Sequence, residues 1–531
     1  MISTIDSIVI VAYLLGMILI GYFAGKDNET QEDYLLAGRS MPWLPIALSV
    51  AATMISANSF VGAPGWAYNS GIAPYMVNIT VPLAIFIALY ITTPVIYHLK
   101  ITSIYEYMEL RLGGISRNLT VAQFFINSLI QVSSMVFVPA LILQTITGWS
   151  LNVIVPIIVL ISIVYTLLGG IKAVIWTDAV QTAVVWLGVI LAVIIPLKKM
   201  NMGFFETIGT AQAAGKLQAL DFSFSLTNTN AFWVALIGGA IMWTRYFCFD
   251  QAQIQRVLTA KSMKGVKSSL ASSSVVMSFT YFATLLVGLI LWVFYGGKSF
   301  DSSNQIMIGF ILEELPVGIV GLVIAGAFAA AMSSVDSLLN SMTTVFIKDI
   351  YEKYFYKGKG EVSLKLTMTI SAVFGIVIIF VVILAFGGTV KSVLELVGKY
   401  ISYFSGPACG AFLLAMFTTK ANDKGVATGF ILSFLGGYWI AQTYHPSWLW
   451  NPAIGATLSV SIGFIASLIF KGNKADEEVK KYTAMGVRKE MIAQGLKEDD
   501  GVSILPFTMD KYAIFTLVFF VVQYIFLAII Q

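Results

Sequence analysis

Charge is what this sequence has least of. Only 11% of its 531 residues are Asp, Glu, Lys or Arg, 58% are hydrophobic, and mean hydropathy is +0.84. A soluble domain does not stay dispersed with that balance, so the bilayer is its solvent. Cysteine and histidine are scarce too, with two of each. Cys248 and Cys409 lie in apolar segments, which excludes a disulfide framework and any metal-binding spacing. His98 and His445 stand alone at segment ends and read as interfacial residues. Without a His/Glu metal pattern or a Ser/His pair, an intramembrane enzyme is not expected. A net charge of only +4 argues against a nucleic-acid partner, and no obligate protein partner is evident.

What the chain does have is long apolar runs. Fourteen candidate spans fall within 4–24, 42–70, 73–97, 117–146, 152–169, 175–197, 230–250, 268–296, 317–347, 366–386, 392–417, 425–443, 452–470 and 511–530. Each is long enough for a helix to cross a hydrocarbon core, which needs about 20 residues, and runs of this length rule out barrel strands. The first lacks a basic flank and a small-residue cleavage site, so a retained helix is expected rather than a signal peptide. With the amino terminus outside, the inward loops are 25–41, 98–116, 170–174, 251–267, 348–365, 418–424 and 471–510. With border residues included, they hold 25 of the 32 basic residues. That asymmetry puts both termini on the outer face of a cell membrane. The charged stretch 471–510 reads as a solvated cytoplasmic linker with one amphipathic helix, and residues 1–531 as a single membrane domain.

Two stretches break the apolar pattern. In "SSVDSLLNS" (333–341), six of nine side chains are polar. Ser333, Asp336, Ser337 and Asn340 follow at i, i+3, i+4 and i+7, one face of a helix. Ser and Asn alone suit a hydrogen-bonded seam between helices. Asp336 does not, because an intramembrane carboxylate is costly and marks an ion or proton path. In "AATMISANSFVGAPGWAYNSG" (51–71), polar residues, glycines and Pro64 interrupt a span. Such a broken helix is tolerated where it lines a cavity, and its freed carbonyls can hold a cation. Five-span units at 42–197 and 230–417 fit an inverted repeat, the usual frame for alternating access.

Five segments in order carry a resemblance: "EDYLLAGRSMPW" (32–43), "KITSIYEYMELRL" (100–112), "GGIKAVIWTDAVQ" (169–181), "IQRVLTAKS" (254–262) and "GLVIAGAFAAAMSSVDSLLNSMTTVFIKDIY" (321–351). Together they resemble the sodium:solute symporter family, notably its bacterial sugar and sialic acid branches, over about residues 5 to 470. The resemblance implies an all-α LeuT-type five-plus-five fold with extra helices, and Na+ as the coupling ion. It implies a sodium site made by the carbonyls of Ala52, Ile55, Ala330 and Ser333 with the Ser334 hydroxyl. A second site in some members would use Asp178, Ser333 and Ser337. Here Asp336 stands where those members carry a hydroxyl. Its charge leaves three outcomes open: a stronger cation site, a bound proton, or a pair with a basic side chain.

The resemblance also sets a solute pocket beside the helix break, walled by Ser56, Asn58, Ser59, Gln131, Trp243 and Tyr246. Tyr246 matches an aromatic inner gate of the sugar branch. The branch's other sugar contacts are not matched: Met277 stands near a sugar-binding lysine position, and Gly398 near a glutamine. Gln131 stands where sialic acid members hold a carboxylate with arginine. A neutral sugar or polyol is therefore expected, with an organic acid such as sialic acid as the alternative. Lys399 supplies a possible positive charge, or pairs with Glu395 one turn earlier. A passive channel would need a continuous polar lining, and a transporter-like sensor an appended signalling domain.

Overall fold

The computed structural model describes residues 3–54, 58–358, 362–385, 393–472 and 476–531. Among these, ten helices are long and apolar enough to cross a membrane. One of them, Leu151–Met200, is two expected spans meeting at Gly170, whose φ of 56° and ψ of −149° break the helix. A Cβ there would lie 2.4 Å from the Tyr34 carbonyl oxygen, so both the backbone angle and the close approach require glycine. Three other expected spans fall on helices that are shorter or less apolar: Trp43–Ala52, Val234–Phe249 and Asp423–Tyr444. The described strands are one two-residue hairpin, Glu498–Asp499 with Val502–Ser503.

In the stretch expected to be broken, 51–71, Trp43–Ala52 ends in a turn at residues 53–54, and a π-turn at Asn58–Gly62 leads into Ala63–Ser70.

The helix carrying the Ser/Asp face, Ile319–Val345, is the most enclosed of the ten long apolar helices, with every residue from Val323 to Val345 buried. It packs chiefly on Leu151–Met200. Its own start, "PVGIVG", offers no capping side chain. The first helix, Thr4–Gly25, supplies one across the bundle: Asp6 Oδ1 accepts from the N–H groups of Gly318 and Gly321, at 2.7 Å each. Two orphan amides of a buried helix end are thereby satisfied.

Residues 476–510 depart from the expectation of a solvated linker. They fold as two short helices and the hairpin, and dock on the face carrying the basic loops. The Tyr107 hydroxyl donates to the Tyr482 carbonyl (3.0 Å), the Met263 amide to Asp499 (2.7 Å), and the Phe507 amide to the Tyr90 carbonyl (2.7 Å). Ala484, Val487, Met491, Val502 and Ile504 are buried in the main core. The segment's many charges had masked these few apolar anchors.

On the same face lies a partly buried ionic network. Arg117 pairs with Asp349 (2.7 Å) and with Glu109, and Glu109 also pairs with Lys353. Glu106, on the short helix Ile104–Arg111, has no cation of its own among the described residues. Burial, with the Asp349 carboxylate as a second cause, pushes it from an ordinary 4.5 up to about 7. A carboxyl raised on folding contributes stability that is full below its unfolded value and lost as pH rises toward 7. Glu106→Gln keeps the capping-box geometry, since glutamine also serves at that position. It is expected to raise the melting temperature at pH 8 and to leave it nearly unchanged at pH 4.5. Equal melting shifts at the two pH values would exclude Glu106 as the source.

Candidate functional site

Beside the helix break lies a cavity of about 190 Å³. Of the six residues expected to wall a solute pocket, Ser59, Gln131, Trp243 and Tyr246 line it. Ser56 lies outside the described residues, as does the side chain of Asn58. Met277 and Gly398 also line it. Trp243 and Tyr246 meet edge to face, with centroids 5.8 Å apart, and each is held by its polar end. Trp243 Nε1 donates to the Val77 carbonyl at 2.9 Å, and the Tyr246 hydroxyl accepts from Gln253 at 2.7 Å. Fixed aromatic walls with hydroxyl and amide groups between them suit a small amphipathic solute.

One lining residue had been given no role from the sequence. Arg245 is 4% exposed and forms an ion pair with Asp250 at 2.9 Å, while its Nε has no hydrogen-bond partner. The signal was available: a guanidinium inside an apolar span is costly and marks function by default. Lys399, by contrast, is exposed, and the side chain of Glu395 lies outside the described residues.

The first expected sodium site falls between the broken helix and the Ser/Asp helix. Ala52, Ala330 and Ser333 line a small void together with Gln181 and Thr182. The Ser333 hydroxyl lies 3.4 Å from the Ala52 carbonyl oxygen and 3.2 Å from that of Ala330. The Ser334 hydroxyl donates to Ala330 at 3.3 Å. Ile55 lies outside the described residues.

The residues expected for a second site are also brought together, but with a cation of the protein's own among them. Arg256, on the short buried helix Gln251–Leu258, donates through Nε to Ser49 (2.7 Å), and through Nη2 to Asp178 (3.3 Å) and to Ser337. Ser49 in turn donates to the same Asp178 oxygen at 2.5 Å. Among the described residues, Asp336 does not pair with a basic side chain. It accepts from the Tyr165 hydroxyl at 2.7 Å and from Ser337 at 3.3 Å. Two carboxylates and one guanidinium, all fully buried, leave one negative charge for a proton or a metal cation to meet. Arg256 was missed because its place in the sequence is a loop between spans.

The sequence profile of the Sodium:solute symporter family matches residues 34–433. The chain is 30% identical over 458 residues to sodium-coupled monocarboxylate transporter 1 of Mus musculus, spanning 83% of this chain and 74% of that protein. It is 26% identical over 500 residues to the sodium/sialic acid symporter NanT of Aliivibrio fischeri, spanning 93% and 98%. Among solved structures it is similar to a substrate-bound, outward-open Na+-coupled sialic acid symporter, at TM-score 0.79 and 28% identity, covering 89% of this chain and 99% of that one. The nucleobase-cation-symport-1 family transporter MHP1 shares the fold at TM-score 0.56 and 14% identity, covering 86% and 99%. The architecture is thus the LeuT-type helical frame, and this multi-pass membrane protein belongs to the sodium:solute symporter family, with Na+ as its coupling ion.

Proposed function

We propose that this protein imports a small organic acid together with Na+ by alternating access, in preference to the neutral sugar expected from the pocket residues alone. The observation that carries this reading is Arg245, a buried guanidinium in the cavity wall with a free Nε–H. Asp250 keeps the empty site neutral, and a solute carboxylate would accept from Nε. The relatives point the same way, being named for monocarboxylates and sialic acid. The five-span repeats at 42–197 and 230–417 would rock about the site, with both termini on the outer face, as the basic loops favour. Na+ would bind the oxygens of Ala52, Ile55, Ala330, Ser333 and Ser334. Neutral oxygens suit a small hard ion that must also leave.

The test is uptake into proteoliposomes, with and without a sodium gradient, of short monocarboxylates, sialic acid, a hexose and a polyol. Sodium-dependent uptake of an acid supports the reading, and uptake confined to hexose or polyol overturns it. Arg245→Gln is expected to raise the half-saturating acid concentration about tenfold or more, since a hydrogen bond to a charged group contributes about 1.5–3 kcal/mol. Arg245→Gln with Asp250→Asn removes the stranded carboxylate and should keep the loss. Recovery of acid affinity in that double variant would exclude Arg245 as a solute contact.

A further inference from the structure

Gln181 stands one turn after Asp178 on the second half of Leu151–Met200 and is 1% exposed. Neither its amide oxygen nor its amide nitrogen has a hydrogen-bond partner of normal geometry. A buried amide left unsatisfied is costly, so such a group signals a missing ligand. Its surroundings identify the kind of ligand. Gln181 lines the same void as Ala52, Ala330 and Ser333. One Ser333 hydroxyl is shared between the carbonyls of Ala52 and Ala330, at the long distances of 3.4 and 3.2 Å. Three oxygens with a single donor hydrogen among them are thus clustered on residues that share the void with Gln181.

The amide can be oriented. The Tyr13 hydroxyl of the first helix lies beside Gln181, buried and without a partner of normal geometry of its own. With Nε2 turned toward Tyr13, the nitrogen gains a partner and Oε1 is the end left to bind a ligand. Which end of a glutamine amide is oxygen is assigned from such a network.

We infer that Gln181 Oε1 is a side-chain ligand of the transported Na+, completing from a third helix the site shared by the broken helix and the Ser/Asp helix. The inference rests on the proposed location of that site. An uncharged amide oxygen adds a strong dipole without a net charge, so the ion is held and still released. Tyr13 is a positioning residue in this arrangement. It also assigns a task to the helix before the first repeat, which presents the amide rather than merely packing on the bundle.

The test uses the purified full-length chain and two readouts. One is the melting temperature as choline chloride is replaced by NaCl at constant ionic strength. The other is the sodium dependence of uptake in liposomes. Gln181→Leu, which keeps the volume and removes the oxygen, is expected to raise the half-saturating sodium concentration about tenfold in both, as one lost ligand of about 1.4 kcal/mol would. Ser334→Ala, within the proposed site, is the control and should also raise it. A shift in Ser334→Ala without one in Gln181→Leu removes Gln181 from the site and leaves the site standing. No shift in either overturns the site location and the inference with it. Where Gln181→Leu fails to fold, Gln181→Glu decides. A carboxylate at that point is expected to lower the sodium requirement severalfold, and an unchanged requirement overturns the inference.

Discussion

Replacing Arg256 with methionine is expected to leave almost no folded protein, and adding Asp178→Asn to bring much of it back. Arg256 is fully buried, and its guanidinium serves Asp178, Ser49, Ser337 and the Ala252 carbonyl. Methionine fills most of that volume but leaves Asp178 as an uncompensated buried charge. Removing one partner of a buried pair costs about 3–5 kcal/mol, a large share of the 5–15 kcal/mol typical of a folded domain. Asparagine at 178 removes the stranded charge and still accepts from Ser49. The measurement is the yield of monodisperse protein in detergent and its melting temperature. Wild-type behaviour of the single variant would show that Arg256 does not hold these helices together. A double variant no better than the single would show that its partner is not Asp178.

Asp336→Asn is expected to lower the Hill coefficient for sodium or to flatten the pH dependence of uptake, with little loss of protein. The groups around Asp336 are the Tyr165 and Tyr13 hydroxyls, Asp178 and Arg256. Arg256 is committed to Asp178, so the second carboxylate has only the neutral donors of Tyr165 and Ser337. Two like charges at close quarters in a medium of low dielectric do not both persist without a cation or a proton. On the proposed reading, whichever species meets the charge of Asp336 exchanges when transported sodium passes. Asparagine keeps the size and can accept from Tyr165, so the helices stay together while the charge is gone. Wild-type sodium cooperativity together with a wild-type pH profile would reduce Asp336 to a hydrogen bond between helices.

The membrane class, the helical fold and the broken helix were legible because each is a property of local composition. Long apolar runs in lipid admit only helices, and polar residues, glycines and a proline inside such a run mark where the helix yields. The Ser/Asp face was legible for the same reason: 3.6 residues per turn place Ser333, Asp336, Ser337 and Asn340 on one side whatever surrounds them. The solute was not. The pocket residues read one at a time pointed to a neutral sugar, and Arg245 was given no role. Arg245 comes from a different helix, and only the bundle brings it to the cavity.

Loop charges show the boundary most clearly. Arg111, Arg256 and Lys267 all counted as solvated basic residues on one side of the membrane. In the structure all three are buried: Arg111 donates to the carbonyls of Thr418 and Ala421, Arg256 binds Asp178, and Lys267 pairs with Asp510. The docked 476–510 segment differs from its sequence reading in the same way. By itself the sequence determined which segments enter the membrane and which residues share a helix face, because hydropathy and helical period act over neighbours in the chain. Only the tertiary structure decided which charges meet, since Asp178 finds Arg256 seventy-eight residues away. A pairing energy depends on distance and on exclusion of water, and neither quantity exists until the helices pack.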